Sequence, residues 1–299
     1  MIPVDRSDRA LRRLDIALRH KLDGLLPGDR AGRRRGPGGE PDAARPYRPG
    51  EDDVRRIDWS VSARTGELHV RDTVAEHVLE TWVLVDRSAS MDFGTAQLEK
   101  RDLAAAAVAA VGALTDGPGN RLGAVLLTGS RLAQVRSRPG RTGRRALVRA
   151  LLDEPRDRGG ADLAAGLDRF RRRWRRPGLR VIVSDFLEPG PAWEPALRRL
   201  AHRHDVLAVE IVDPRDEELP DVGVLVLVDP ETGRRREVRT DPRLRERFAG
   251  AAAAQRATTA AALRRAGAQH LVLRTDRDWV TDVARFAASR SRSRSRRTR

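Results

Sequence analysis

The chain has 299 residues, 39% of them hydrophobic, and no cysteine; it is long enough for one large domain or two modest ones, and disulfides and thiolate metal sites are excluded. Its formal charge of +16 comes from 59 Lys and Arg against 43 Asp and Glu, a balance that invites an anionic partner. No apolar run approaches the roughly 18 residues that a membrane helix requires, and the opening MIPVDRSDRALRR lacks the apolar stretch of a secretory leader, so a cytoplasmic location is expected.

In chain order, residues 7–26 predict an amphipathic helix, with Leu11, Leu14, Leu18, Leu22 and Leu25 recurring at three- and four-residue steps. Pro27-Gly28 ends it, and residues 28–50, rich in Gly, Pro and Arg, read as a linker or irregular arm that continues to residue 78. Within that arm Leu68 and Val70 alternate with polar residues as an edge strand does. From Leu79 the pattern becomes an alternation of apolar strands and helices. Strands are expected at 79–86, 121–129, 179–185, 205–213 and 269–276, with 131–137 as an antiparallel neighbour of the second. Helices are expected at 96–115, 141–153, 161–173, 193–203, 241–266 and from 278, and 222–240 reads as a hairpin turning near Glu231 to Gly233. Short, wholly apolar strands separated by helices predict an α/β fold with a mostly parallel sheet covered on both faces, spanning residues 79–288. The last segment, 289–299, alternates Ser and Arg without an apolar residue and is expected to be disordered.

The charge needs discounting before it is given a function. Only Lys21 and Lys100 are lysines, so 57 of the 59 basic residues are arginine, which reads as a bias acting on the whole surface. Arg290, Arg292, Arg294, Arg296, Arg297 and Arg299 sit in the tail, leaving about +10 for the body. A nucleic-acid or anionic-surface binder using the tail and Arg169, Arg171, Arg172, Arg173, Arg175 and Arg176 remains the alternative function. One tyrosine and five phenylalanines leave little for base stacking.

In an open parallel sheet, ligands bind beyond the carboxyl ends of the strands. Asp86 ends one expected strand and Asp185 another, and the segment DRSAS puts the Ser88 and Ser90 hydroxyls two and four residues beyond Asp86. Two carboxylates, two hydroxyls and waters meet the demand of a hard divalent cation for oxygen ligands and leave a position open. The bland alternative is that Asp86 caps the following helix and the serines form its turn. The six histidines show no HExxH spacing, and His202 and His204 read as solvated at a helix end. No GxxxxGK[ST], GxSxG or strand-following GxGxxG is present, so an enzyme is not expected; a Mg²⁺-dependent phosphohydrolase, lacking an evident nucleophile or base, is the weaker alternative.

The block from Tyr47 to Gly94, YRPGEDDVRRIDWSVSARTGELHVRDTVAEHVLETWVLVDRSASMDFG, resembles the signature of the bacterial domain of unknown function 58 family, which contains a von Willebrand factor A-like domain. The likeness extends more loosely through RLGAVLL, GGADLAAGL and VIVSDFLEP. It implies a metal-ion-dependent adhesion site, which carried onto this chain comprises Asp86, Ser88, Ser90 and Asp185 as ligands to Mg²⁺ or Mn²⁺. The family's GGTDL is GGADL here, so Ala161 stands where a threonine ligand is expected, with Asp162 as the substitute. Loss of such a group weakens a site by about 10- to 100-fold. The resemblance further implies a non-enzymatic interaction module, an adaptor to a MoxR-type AAA+ ATPase in protein maturation or assembly. In the signature arm, Tyr47, Asp58, Trp59 and Arg64 read as a charge-paired block packed on the domain, with a recognition surface as the other reading.

Overall fold

The computed structural model describes residues 41–50, 52–73, 79–117, 119–135, 140–156, 159–188, 190–230 and 233–297. The expected helix at 7–26 and part of the 231–233 turn lie outside them. The chain divides into two compact units, a smaller one within residues 27–78 and a larger one from Leu79 onward.

In the smaller unit, strand β1 (Pro41–Pro46) pairs antiparallel with β2 (His69–Thr73), so a strand runs where the sequence reads as irregular arm. It has no alternation of its own, and backbone pairing with β2 holds it. Between them helix α1 (Trp59–Thr65) is capped by Asp58, whose side chain accepts from the Ser60 and Val61 amides, and it ends at Gly66 with φ 77°. The Ser62 hydroxyl donates to Asp58 O and accepts from His69 N, tying helix to strand. The signature block is thus partly a helix cap. Trp59 is 69% exposed and Arg64 is exposed.

The larger unit is a six-stranded sheet. Its strands are β3 (Glu80–Asp86), β4 (Arg121–Thr128), β5 (Arg131–Val135), β6 (Leu179–Ser184), β7 (Asp205–Val212) and β10 (Gln269–Arg274). The spatial order is β10-β7-β6-β3-β4-β5, and every pair is parallel except β4 with β5. One face is covered by α2 (Lys100–Leu114) and α3 (Gly140–Asp153), the other by α4 (Leu163–Arg173) and α5 (Glu194–Ala201). Helix α2 is apolar nearly all round, with Leu103 to Val111 buried without a break, as a helix against the middle of a sheet must be. Its alanines keep it close to the strands. Strands β3, β6 and β7 are buried on both faces because helices sit above and below them. A short helix, α6 (Pro214–Glu217), follows β7, and the hairpin of β8 (Val224–Val228) with β9 (Arg235–Arg239) leads into α7 (Pro242–Arg265).

The last helix, α8 (Trp279–Arg297), runs on through most of the Ser/Arg segment. The segment contains neither Gly nor Pro, and arginine favours helix continuation. His204 corrects an expectation, because it is 6% exposed rather than solvated. It sits at the entry to β7, where the chain turns inward, while His202 two residues earlier is exposed. The order of the strands, with crossovers running outward in both directions from β3 and β6, makes this an α/β, von Willebrand factor A-like sheet whose switch point lies between those two strands.

Candidate functional site

Val85 pairs with Val183 across β3 and β6, and Asp86 pairs with Leu127 of β4. The parallel register therefore brings the carboxyl ends of these strands level, and the chain leaving each enters the same crevice. Three loops meet there. Arg87 N donates to Leu127 O at 2.9 Å, Ala89 N to Gly159 O at 3.0 Å, and Ser184 Oγ to Asp86 Oδ2 at 2.6 Å. The DRSAS turn, the GGADL loop and the SDF turn are joined directly by hydrogen bonds.

Asp86 is 5% exposed and uses both oxygens, Oδ1 accepting from Ser88 N at 2.8 Å and Oδ2 from the Ser184 hydroxyl. Burial, followed by the nearby Asp185 charge, pushes its carboxyl up to about 6, against the opposing hydrogen bonds from Ser184 and Ser88. Ser88 opens the 3-10 turn Ala89–Asp92, yet its side chain makes no capping bond there. Its hydroxyl is instead hydrogen-bonded to that of Ser90, oxygen to oxygen 3.0 Å. Adjacent ligands of an octahedral Mg²⁺, each about 2.1 Å from the ion, are about 3.0 Å apart. The donor set therefore suits a hard cation: two hydroxyls at ligand spacing beside one buried carboxylate.

The structure brings Asp185 to the same place but gives its charge a partner. Asp185 is 6% exposed; its Oδ2 lies 3.0 Å from Lys100 Nζ, and its Oδ1 accepts from Leu187 N at 3.3 Å. Just beyond it Phe186 holds φ 52°, a left-handed conformation costly for a bulky residue. The Phe186 ring, buried against Trp193 at 5.2 Å, fixes it. Ala161 forms a bridge to Gly129 and brings no oxygen. Asp162 is exposed and caps α4, its Oδ1 accepting from Ala165 N at 2.8 Å; helix capping explains that aspartate without a metal. Among the described residues no three or more His, Cys, Asp or Glu side chains converge, so an ion here would depend on the serine hydroxyls.

Ser184 and Lys100 were not singled out by the sequence reading. Ser184 directly precedes Asp185, and a Ser-Asp pair at a strand end is the signal that would have found it. For Lys100 the signal is its rarity among arginines. The arginines proposed for anion binding are in part spent within the molecule: Arg171 pairs with Asp168 at 3.8 Å and Arg173 lies over Trp174. No helix of the described residues is long and apolar enough to cross a membrane.

Several known proteins are similar to this chain. The uncharacterized protein Rv1480 of Mycobacterium tuberculosis is 53% identical over 285 residues, covering 95% of this chain and 89% of the relative. The uncharacterized protein MAV169 of Mycobacterium avium is 49% identical over 163 residues, 54% of this chain and 96% of the relative. Among solved structures, BatB from Bacteroides thetaiotaomicron aligns with a TM-score of 0.43 at 11% identity, over 72% of this chain and 98% of that one. The SpRpn10 VWA domain aligns with a TM-score of 0.38 at 13% identity, over 69% and 93%. The family model described as protein of unknown function DUF58 matches residues 43–258, and the chain belongs to that family.

Proposed function

We propose that this protein is a non-enzymatic interaction module whose sheet end binds a partner protein through a divalent-cation site of the adhesion type. Asp86, Ser88 and Ser90 would hold the ion, and Asp185 closes the remaining side. A bound Mg²⁺ or Mn²⁺ supplies Lewis acidity to an incoming carboxylate from the partner. The chain's own residues do the rest. Ser184 fixes the Asp86 carboxylate, the 3-10 turn keeps both serine hydroxyls on one side, and the Gly159 contact holds the neighbouring loop against them. The observation that carries the reading is the spacing of the Ser88 and Ser90 hydroxyls beside a buried Asp86. As a helix cap alone, Asp86 would accept from an amide within the 3-10 turn Ala89–Asp92, whereas its Oδ1 accepts from Ser88 N, ahead of that turn.

The family resemblance supplies the expected partner, a MoxR-type AAA+ ATPase, for which this chain would act as adaptor in protein maturation or assembly. The test is capture of such an ATPase from the same cell by the purified protein, with Mg²⁺, with EDTA and with Asp86→Ala. The expected outcome is capture in Mg²⁺ and at least tenfold less in the other two arms. Equal capture in all three removes the mechanism.

A further inference from the structure

Of the 59 basic residues only two are lysines, and one of them is among the most buried side chains of the molecule. Lys100, the first residue of α2, is 1% exposed. Its ammonium lies 3.0 Å from Asp185 Oδ2, and 3.0 and 2.8 Å from the two carboxylate oxygens of Asp216 on α6. Asp216 in turn accepts from Asp213 N at 2.9 Å. Asp213, fully buried, accepts from Thr95 N, Thr95 Oγ1, Arg215 N and Thr275 Oγ1. A planar guanidinium needs a wide fork of acceptors, whereas an ammonium is a compact point charge that fits between two carboxylates. In a chain that otherwise uses arginine, a lysine here meets a demand of shape.

We infer that Lys100 is a resident cation that neutralises Asp185, so that the ion proposed above is held by Asp86 and the two serines with Asp185 outside its coordination. The inference rests on the adhesion-site reading and refines its ligand set. Two observations converge on it. The Asp185 oxygen at 3.0 Å from Lys100 is committed to a buried pair, and removing one partner of such a pair strands the other. Ala161, bridged to Gly129 beyond the end of β4, offers no side-chain oxygen in the threonine's place. Lys100 therefore does part of the work that a divalent ion does where two acids coordinate it: it keeps two strand-end carboxylates together. The crevice stays assembled when no metal is bound, and its affinity for the ion is low.

The test is a calorimetric Mn²⁺ titration of wild type, Lys100→Met, Asp185→Asn and the double variant, each with a thermal melt in EDTA. Lys100→Met leaves Asp185 uncompensated; its melting temperature in EDTA falls by more than about 5 °C, and its Mn²⁺ affinity rises at least threefold. The double variant restores the charge balance, recovers much of that melting temperature and binds Mn²⁺ within threefold of wild type. A tenfold or greater loss of Mn²⁺ binding in the double variant makes Asp185 a ligand and overturns the inference. So does a Lys100→Met protein indistinguishable from wild type in both readouts. Should Lys100→Met not fold, the double variant alone answers the question. If no protein in the set takes up Mn²⁺, the adhesion-site reading falls instead, and the melts then judge the pairing: rescue of Lys100→Met by Asp185→Asn upholds it, and no rescue overturns it.

Discussion

Ser88 stands at the start of a 3-10 turn, makes no capping bond with its side chain, and lies against Ser90. The Asp86 carboxylate beside it is organised on both oxygens, by Ser88 N and by the Ser184 hydroxyl. Asp86, Ser88, Ser90 and Asp185 were legible in the sequence because each follows an apolar strand within a few residues. Ser184, Lys100 and Asp216 were not, because their contacts span 98 positions to Asp86, 85 from Lys100 to Asp185 and 116 from Lys100 to Asp216. No local pattern reports such pairings. His204 shows the same limit in stability rather than function. Burial first, then the positive charges of Arg180 and Arg203, push its imidazole down to about 4. An unfolded histidine titrates near 6.5. Between those values the unfolded chain takes up a proton that the folded one refuses, so this contribution to stability is complete above about pH 6.5 and is lost as the pH falls toward 4. Urea unfolding from pH 7 to pH 4.5 should therefore show a shallower decline for His204→Leu than for wild type. Parallel curves would show that His204 does not carry the effect.

At the level of elements, the alternation of strand and helix was readable because buried parallel strands are apolar on both faces and their covering helices are not. β1 was hidden because it lies in a segment of Gly, Pro and Arg and owes its shape to β2. The helical continuation through residue 297 was hidden because composition argued for a tail, although no residue there breaks a helix. The entry of β6 beside β3 depends on one position that the sequence marks only as a Pro-Gly turn. A Cβ at Gly178 would stand 2.2 Å from the backbone oxygen of Glu80, the residue that opens β3. Backbone cannot yield as a side-chain tip does, so Gly178→Ala is expected to lower stability by about 1–3 kcal/mol. Equilibrium denaturation measures it, and a loss below about 0.5 kcal/mol, the range of neutral surface changes, would mean that the β3–β6 junction is not tightly packed there.

Across the whole molecule, a six-stranded sheet with its switch point between β3 and β6 gathers three loops at one end. The net charge of +16, which first points to nucleic acid, is distributed over arginines many of which pair with acids of the same molecule, as Arg101 does with Asp92 and Arg199 with Asp168. The sheet end, rather than the basic surface, is where burial, charge and clustered serine hydroxyls coincide. The most direct measurement is a calorimetric Mg²⁺ and Mn²⁺ titration of the purified protein beside Asp86→Ala and Ala161→Thr. The account predicts a single weak site, with a dissociation constant on the order of 1 mM, lost in Asp86→Ala and about tenfold tighter in Ala161→Thr. Binding that is absent from all three proteins, or unchanged by Asp86→Ala, would contradict it.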